Sequence, residues 1–216
     1  MTQPIYLKDP KEIYRKSFEI VEHEADLERF SDSEAKVAKR LIHACGMPDI
    51  SKDIQFSSQA TDQAIQALSL NANIICDCKM VEAGISILTK DKSNNTIMCF
   101  INEPSVSDIA NTENTTRSAA QVKLWRDHQA GAIVVIGNAP TALFRLIHEI
   151  QTGAPMPSII LGFPVGFVGA SESKQLLSEV EPTIPHVTLL GRRGGSAIAA
   201  AALNALMRIS LGLDQI

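Results

Sequence analysis

The 216-residue sequence has no strong surplus of charge of one sign: 20 Lys and Arg stand against 24 Asp and Glu, a formal net charge of −4. Wholesale attraction to nucleic acid or to an anionic membrane is therefore not expected. Cysteines are few. Cys45, Cys76, Cys78 and Cys99, with the five histidines, form no zinc-ligand spacing, so no metal is expected. Cys76 and Cys78 lie in the apolar run NIICDCKM, where small buried hydrophobes are the simpler reading than a dithiol or metal pair. Reduced thiols in a soluble chain fit the cytoplasm.

An apolar signal core is missing from the opening MTQPIYLKDPKEIYRK. Residues 150–171 carry no charge, but Pro155, Pro157 and Pro164 with interspersed glycines rule out one continuous membrane-spanning helix there. Fixed-period repeats and low-complexity linkers are also lacking. The phosphate-binding patterns G-x-G-x-x-G and G-x-x-x-x-G-K-[ST] do not occur, which counts against a nucleotide-binding or flavin-binding domain and leaves no cofactor expected. There is no nucleophile triad either.

What is present divides the chain at about residue 70, within a single domain over 1–216. Residues 1–70 form a mainly helical extension. Asp9 and Pro10 open a helix through about Val21, and Ser31-x-x-Glu34 is a capping box for a second, closed by Gly46 and Pro48. A third runs from about Ser58 to Ser69. From 71 to 216 the pattern is that of an α/β core. Short apolar runs at 73–77, 96–101, 132–137, 157–162 and 187–190 alternate with helical stretches at 115–129, 140–150, 171–179 and 195–211. Continuous apolar strands between amphipathic helices specify a doubly wound parallel sheet covered on both faces.

In such sheets ligands bind beyond the carboxyl ends of the strands. That rule singles out Asp77, Asn102 with Glu103, and the glycine-bearing junctions GNAPT, GFPVGFVG and GRRGGS. In GNAPTALF, Asn138 can cap a helix that has Pro140 in its first turn. Arg117 falls in the first turn of a helix, where the dipole disfavours a cation by roughly 0.3–1 kcal/mol. An anionic ligand, a nearby Glu113 or plain solvation would offset that.

His43 lies in the last turn of the second helix. At 100° per residue, Ala38, Leu41, Ile42 and Cys45 make one apolar stripe. His43 points roughly 150° from its centre, with Lys36, Lys39 and Arg40. A core position is disfavoured; a wet basic face and a face that meets an anionic ligand both remain. On the first helix Tyr14 and Ser17, three apart, share a face and offer two hydroxyls to one target. Taken alone, these features describe a soluble α/β domain with a cleft for an anionic compound and name no reaction.

The stretches IYRKSFEIVEHEADL, RLIHACGMPDI, ICDCKMVEAGI, NTTRSAAQV, GNAPTALFRL, GFPVGFVGASESK and GRRGGSAIAAAALNAL together resemble the precorrin-8X (cobalt-precorrin-8) methylmutase family of cobalamin biosynthesis. The similarity runs over nearly the whole chain. It implies a flavodoxin-like sheet and a homodimeric isomerase that moves a methyl group from C11 to C12 of a corrinoid precursor by a 1,5-sigmatropic shift. It also implies that His43 is the catalytic acid/base, that Ser17 and Arg40 contact substrate, and, by a less direct match, that Tyr14 and Arg117 do so too. The partner is then an anionic tetrapyrrole, a flat ring rimmed with carboxylates, and any cobalt belongs to that substrate. Arg192 and Arg193 are further cations available to it. A non-catalytic corrinoid carrier is the alternative.

Overall fold

The computed structural model describes residues 6–180 and 183–213. The first five residues of the opening stretch, read above for a signal core, fall outside them.

Helix α1 (Pro10–Glu24) starts where Asp9 accepts a hydrogen bond from the Lys11 amide, with Pro10 in the first turn. It runs one turn beyond the expected Val21. Helix α2 (Asp32–Cys45) begins with the full Ser31–Glu34 capping box and ends at Gly46, whose φ of 68° is left-handed backbone that a glycine adopts without strain. A short 3-10 segment, Pro48–Asp53, leads into strand β1 (Ile54–Phe56), and α3 (Ala60–Ser69) follows. The three-residue β1 lies inside the stretch read as helical. It pairs antiparallel with a strand near the other end of the chain, and three residues carry no periodicity by which to recognise it.

The core then alternates: β2 (Ile74–Cys76), α4 (Lys79–Ala83), α5 (Ile87–Lys90), β3 (Ile97–Met98), α6 (Pro104–Thr112), α7 (Arg117–Ala120), α8 (Val122–Trp125), β4 (Ile133–Ile136), α9 (Pro140–Gln151), β5 (Ile159–Gly162), α10 (Ala170–Glu179), β6 (His186–Leu189) and α11 (Ser196–Ser210). The expected helix at 115–129 is two short pieces, α7 and α8, which meet at Gln121. There the Gln121 side chain is buried and donates to the Asp77 carbonyl at 2.7 Å.

The sheet order is β1-β6-β5-β4-β2-β3, parallel throughout except for β1. Counting only the parallel strands, the first lies between the second and the third, which is the flavodoxin-like order. Successive side chains point to opposite faces. Ile74, Cys76, Ile133, Val135, Ile159 and Leu161 join one core with α2, α3 and α11. Ile75, Val134, Ile136 and Ile160 join the other, with α8, α9 and α10. Both faces are covered, and this is why the strands read as continuous apolar runs. Among the described residues no helix is long and apolar enough to cross a membrane.

The chain reverses its winding between β2 and β4. Asp77, 1% exposed, follows β2 and accepts hydrogen bonds from the amides of Gly137 (3.0 Å), Asn138 (2.9 Å) and Ala139 (3.1 Å) after β4. Burial pushes its carboxyl above the usual value, while the three amides pull the other way. The expected cap of α9 is corrected here. Ala139 is the N-cap and no side chain caps the helix locally; the acceptor comes from Asp77, some 60 residues away in sequence. Gly137 is needed beside it, because a Cβ there would lie 2.7 Å from Val81 Cγ2 and 2.8 Å from the Ser196 Cα.

Asp77→Asn keeps the size but offers one acceptor oxygen and turns an N–H₂ group towards donors. It should cost about 1–3 kcal/mol of stability, measured by urea unfolding. A variant as stable as the parent would show that the carboxylate does not hold the junction.

Candidate functional site around His43

Helix α2 buries Val37, Ala38, Leu41 and Ile42. Its opposite side carries Arg40 and His43 towards α1, and His43 remains exposed. The helix-face reading of the sequence therefore holds for the direction of this residue. Ser17 on α1 meets it, with Oγ and His43 Nδ1 3.0 Å apart. Phe18 stacks on the imidazole at 5.0 Å between ring centroids, and Tyr14 approaches edge-on at 5.7 Å. The Tyr14 ring, rather than its hydroxyl, is what the histidine meets. Among the described residues Nε2 has no hydrogen-bond partner.

Arg40 lies over the same two rings, 5.1 Å from the Tyr14 centroid and 4.9 Å from that of Phe18. Shielding by the aromatic rings lowers the His43 pKa below its ordinary value, and the Arg40 charge lowers it further. Both influences favour the neutral imidazole. It has one nitrogen engaged by Ser17 and the other open, an arrangement able to present either a hydrogen-bond donor or a base, according to tautomer. A groove of about 180 Å³ beside it is lined by Ser17, Ile20, Ile42, His43 and Gly46 among others.

Ser17, Tyr14, Arg40 and His43 are thus brought together; Arg117 is not in contact with them. Its guanidinium donates to the Ile101 carbonyl at 2.6 Å and to Asn102 Oδ1 at 3.4 Å. That tie to the loop after β3 answers the question of what offsets a cation in the first turn of α7. Arg193 is likewise taken: it pairs with Asp49 at 2.6 Å and Asp53 at 2.8 Å. Any anionic ligand reaching it would have to share the guanidinium with these two carboxylates. Arg192 stays exposed and lies 5.6 Å from the ring centroid of Phe167.

Two contributors were missed in the sequence. Phe18 is one, and its place four residues after Tyr14 on one helix face is the available signal. Lys174 is the other, with no phosphate-loop pattern around it to single it out. It is fully buried and donates to the Arg193 carbonyl at 2.6 Å, and burial pushes its pKa down to about 8. The four cysteines are free. Among the described residues no group of three or more His, Cys, Asp or Glu could hold a metal ion.

A family profile described as precorrin-8X methylmutase matches residues 12–209. The chain is 47% identical over 201 residues to the precorrin-8X methylmutase of Pseudomonas aeruginosa, covering 93% of this chain and 96% of that one. It is 45% identical over 206 residues to that of a Sinorhizobium species, covering 95% and 98%. The cobalt-precorrin-8 methylmutase of Methanocaldococcus jannaschii is 36% identical over 206 residues, covering 93% and 94%. A solved structure of the Thermus thermophilus precorrin-8X methylmutase superposes with a TM-score of 0.83 at 35% identity, covering 93% of this chain and 98% of that one.

Removing the cation next to His43 should favour the imidazolium. In Arg40→Gln the His43 titration midpoint, followed by NMR of the ring protons, is expected to move up towards its ordinary value. Shielding by Phe18 and Tyr14 should keep it below. An unmoved or lowered midpoint would show that the Arg40 charge is not felt at the ring.

Proposed function

Because this chain belongs to the precorrin-8X methylmutase family, we propose that it moves the C11 methyl group of precorrin-8X, or of its cobalt form, to C12, with His43 as the acid/base. At the coarser level the chain is a methyl-shifting isomerase of cobalamin biosynthesis. The observation that carries the finer reading is the Ser17–His43 pair, whose open Nε2 lies beside a groove, with Arg40 over the adjoining Tyr14 and Phe18 rings and unpaired with any acid among the described residues.

In a 1,5-sigmatropic shift the C11–methyl bond breaks as the C12–methyl bond forms, and the conjugated double bonds reorganise. No electrons are gained or lost overall, and no nucleophile is required. What helps is withdrawal of electron density from the ring as the methyl migrates. A proton or hydrogen bond from His43 Nε2 to a ring nitrogen supplies that, and Ser17 at Nδ1 fixes the imidazole orientation. We assign Arg40 to a ring carboxylate, Tyr14 to packing that holds the imidazole, and Arg117 to the outer edge of the ligand through the loop it supports.

The groove beside His43 and the one beside Arg40 are about 180 and 190 Å³, below the ~300–1,000 Å³ of usual small-molecule pockets. A macrocycle would therefore lie across the open surface of α1 and α2. This supports the proposal of a homodimer in which a second copy covers the ring, as does the half-open state of Ile13 and Ile20 on α1. Cytoplasmic action on the free tetrapyrrole completes the reading.

His43→Ala should still bind the tetrapyrrole but lose about 10²–10⁴-fold in kcat, followed by the absorption change when precorrin-8X or its cobalt form is added. Full turnover would remove His43 from the mechanism. Binding without conversion by the unmodified protein would favour a carrier instead. If the imidazolium is the acid, kcat/KM should fall as pH rises through a pKa below the ordinary histidine value. The same limb in kcat should sit at higher pH, because bound carboxylates favour the charged ring; His43→Ala should abolish it.

A further inference from the structure

The side of Arg40 away from His43 faces α11. A groove of about 190 Å³ lies between α1, α2 and α11, walled by Phe18, Ala205 and Ile209 and lined by the cations Lys36, Lys39, Arg40 and Arg208. Among the described residues no carboxylate pairs with either arginine. Arg40 is half-buried and lies over the Tyr14 and Phe18 rings. Arg208 gives one Nη to the Leu213 carbonyl. Its Nε is buried and has no hydrogen-bond partner among the described residues.

This is unlike the treatment of other cations in the fold. Arg145 pairs with Glu113 at 2.8 Å and Glu149 at 2.7 Å, Arg193 pairs with two aspartates, and Lys39, at the rim of the same groove, pairs with Glu22 at 2.7 Å. Burial lowers the Arg40 pKa to about 10, and the neighbouring Arg208 charge adds to the effect. Two like charges in a part-buried groove, one with an unmet donor, are unfavourable until an anion joins them. A carboxylate has two oxygens and suits a pair of guanidinium forks.

We propose that Arg40 and Arg208 together clamp one peripheral carboxylate of the bound ring, which makes Arg208 a specificity-determining residue for an acidic rather than an amidated macrocycle. This rests on the methylmutase reading of the adjoining site. Ala205, about one turn before Arg208 on α11, has a small side chain that leaves the groove open there, and Phe18 contacts both the imidazole and the Arg40 guanidinium, so the groove adjoins the His43 site.

The test is equilibrium binding, by absorption titration, of two probes: hydrogenobyrinate, and the same ring with its peripheral carboxylates converted to amides. Arg208→Gln should weaken binding of the acid ring by about 10-fold or more and leave the affinity for the amidated ring unchanged. Arg208→Lys, which retains the charge but loses the fork, should show a smaller loss with the same selectivity, and it serves if the Gln variant does not fold. Equal affinity of parent and variants for the acid ring would overturn the clamp, and so would equal losses for both rings, which would mark a structural role. If the unmodified protein fails to bind the acid ring at all, the methylmutase reading falls with it. Binding by the parent with no effect of the variants removes the clamp alone.

Discussion

The burial of one helix stripe governs where the chemistry can be. Val37, Ala38, Leu41 and Ile42 on α2 are at most 1% exposed, packed with α11 in the larger core. Full burial of a large aliphatic side chain is worth about 1.5–3 kcal/mol, so rotating α2 to hide a different face would forfeit several kcal/mol. With the rotation fixed, positions 40 and 43 must look away from the sheet, on the side where α1 packs. The aromatic residues of α1 then meet a guanidinium and an imidazole, not aliphatic carbons. The polar cluster follows from the apolar packing, without any strain in the helix.

This is also why the direction of His43 was legible and its neighbours were not. Periodicity within α2 reports which way each residue points, and the ends of the helix are marked by Ser31, Glu34 and Gly46. Nothing within α2 says that Ser17, 26 residues earlier, will stand at Nδ1. The parallel sheet could be read because its strands are apolar on both faces. Strand β1 could not, because its three residues acquire strand character only by pairing with β6. The cap of α9 failed for a similar reason. Asn138 has the right chemistry in the right place, but a buried carboxylate with three amides within reach wins. Local propensity cannot see an acceptor from another strand.

The loops at the carboxyl end of the sheet are held by polar ties in place of hydrophobic ones. Lys174 holds the Arg193 carbonyl, and Arg193 holds Asp49 and Asp53 in the segment just after α2. Through these contacts the last turn of α2 is referenced to the β6 junction, so His43 keeps a fixed height above the sheet. Gly194 permits it: a Cβ there would lie 2.4 Å from the Phe163 carbonyl oxygen, so the two loops can come together only at a residue without one. The cations of the protein thus separate by duty. Arg193 is paired with two aspartates and Arg117 is tied to the loop after β3, whereas Arg40 and Arg208 have no acidic partner among the described residues.

That separation bears on how a ligand would act on the histidine. In the free protein the imidazole is kept neutral first by its aromatic shielding and then by Arg40. A carboxylate docking on Arg40 cancels the second influence, and an opposite charge within about 4–6 Å of an ionisable group commonly shifts its pKa by 1–3 units towards the charged form. A flat ring laid over Nε2 adds to the shielding and opposes this. The Coulomb effect prevails if the carboxylates reach the imidazole from the exposed side, because the face covered by Phe18 is already desolvated before the ligand arrives. Binding would then raise the proton affinity of His43 only when an anionic ring is in place. The acid would be formed by the substrate that needs it.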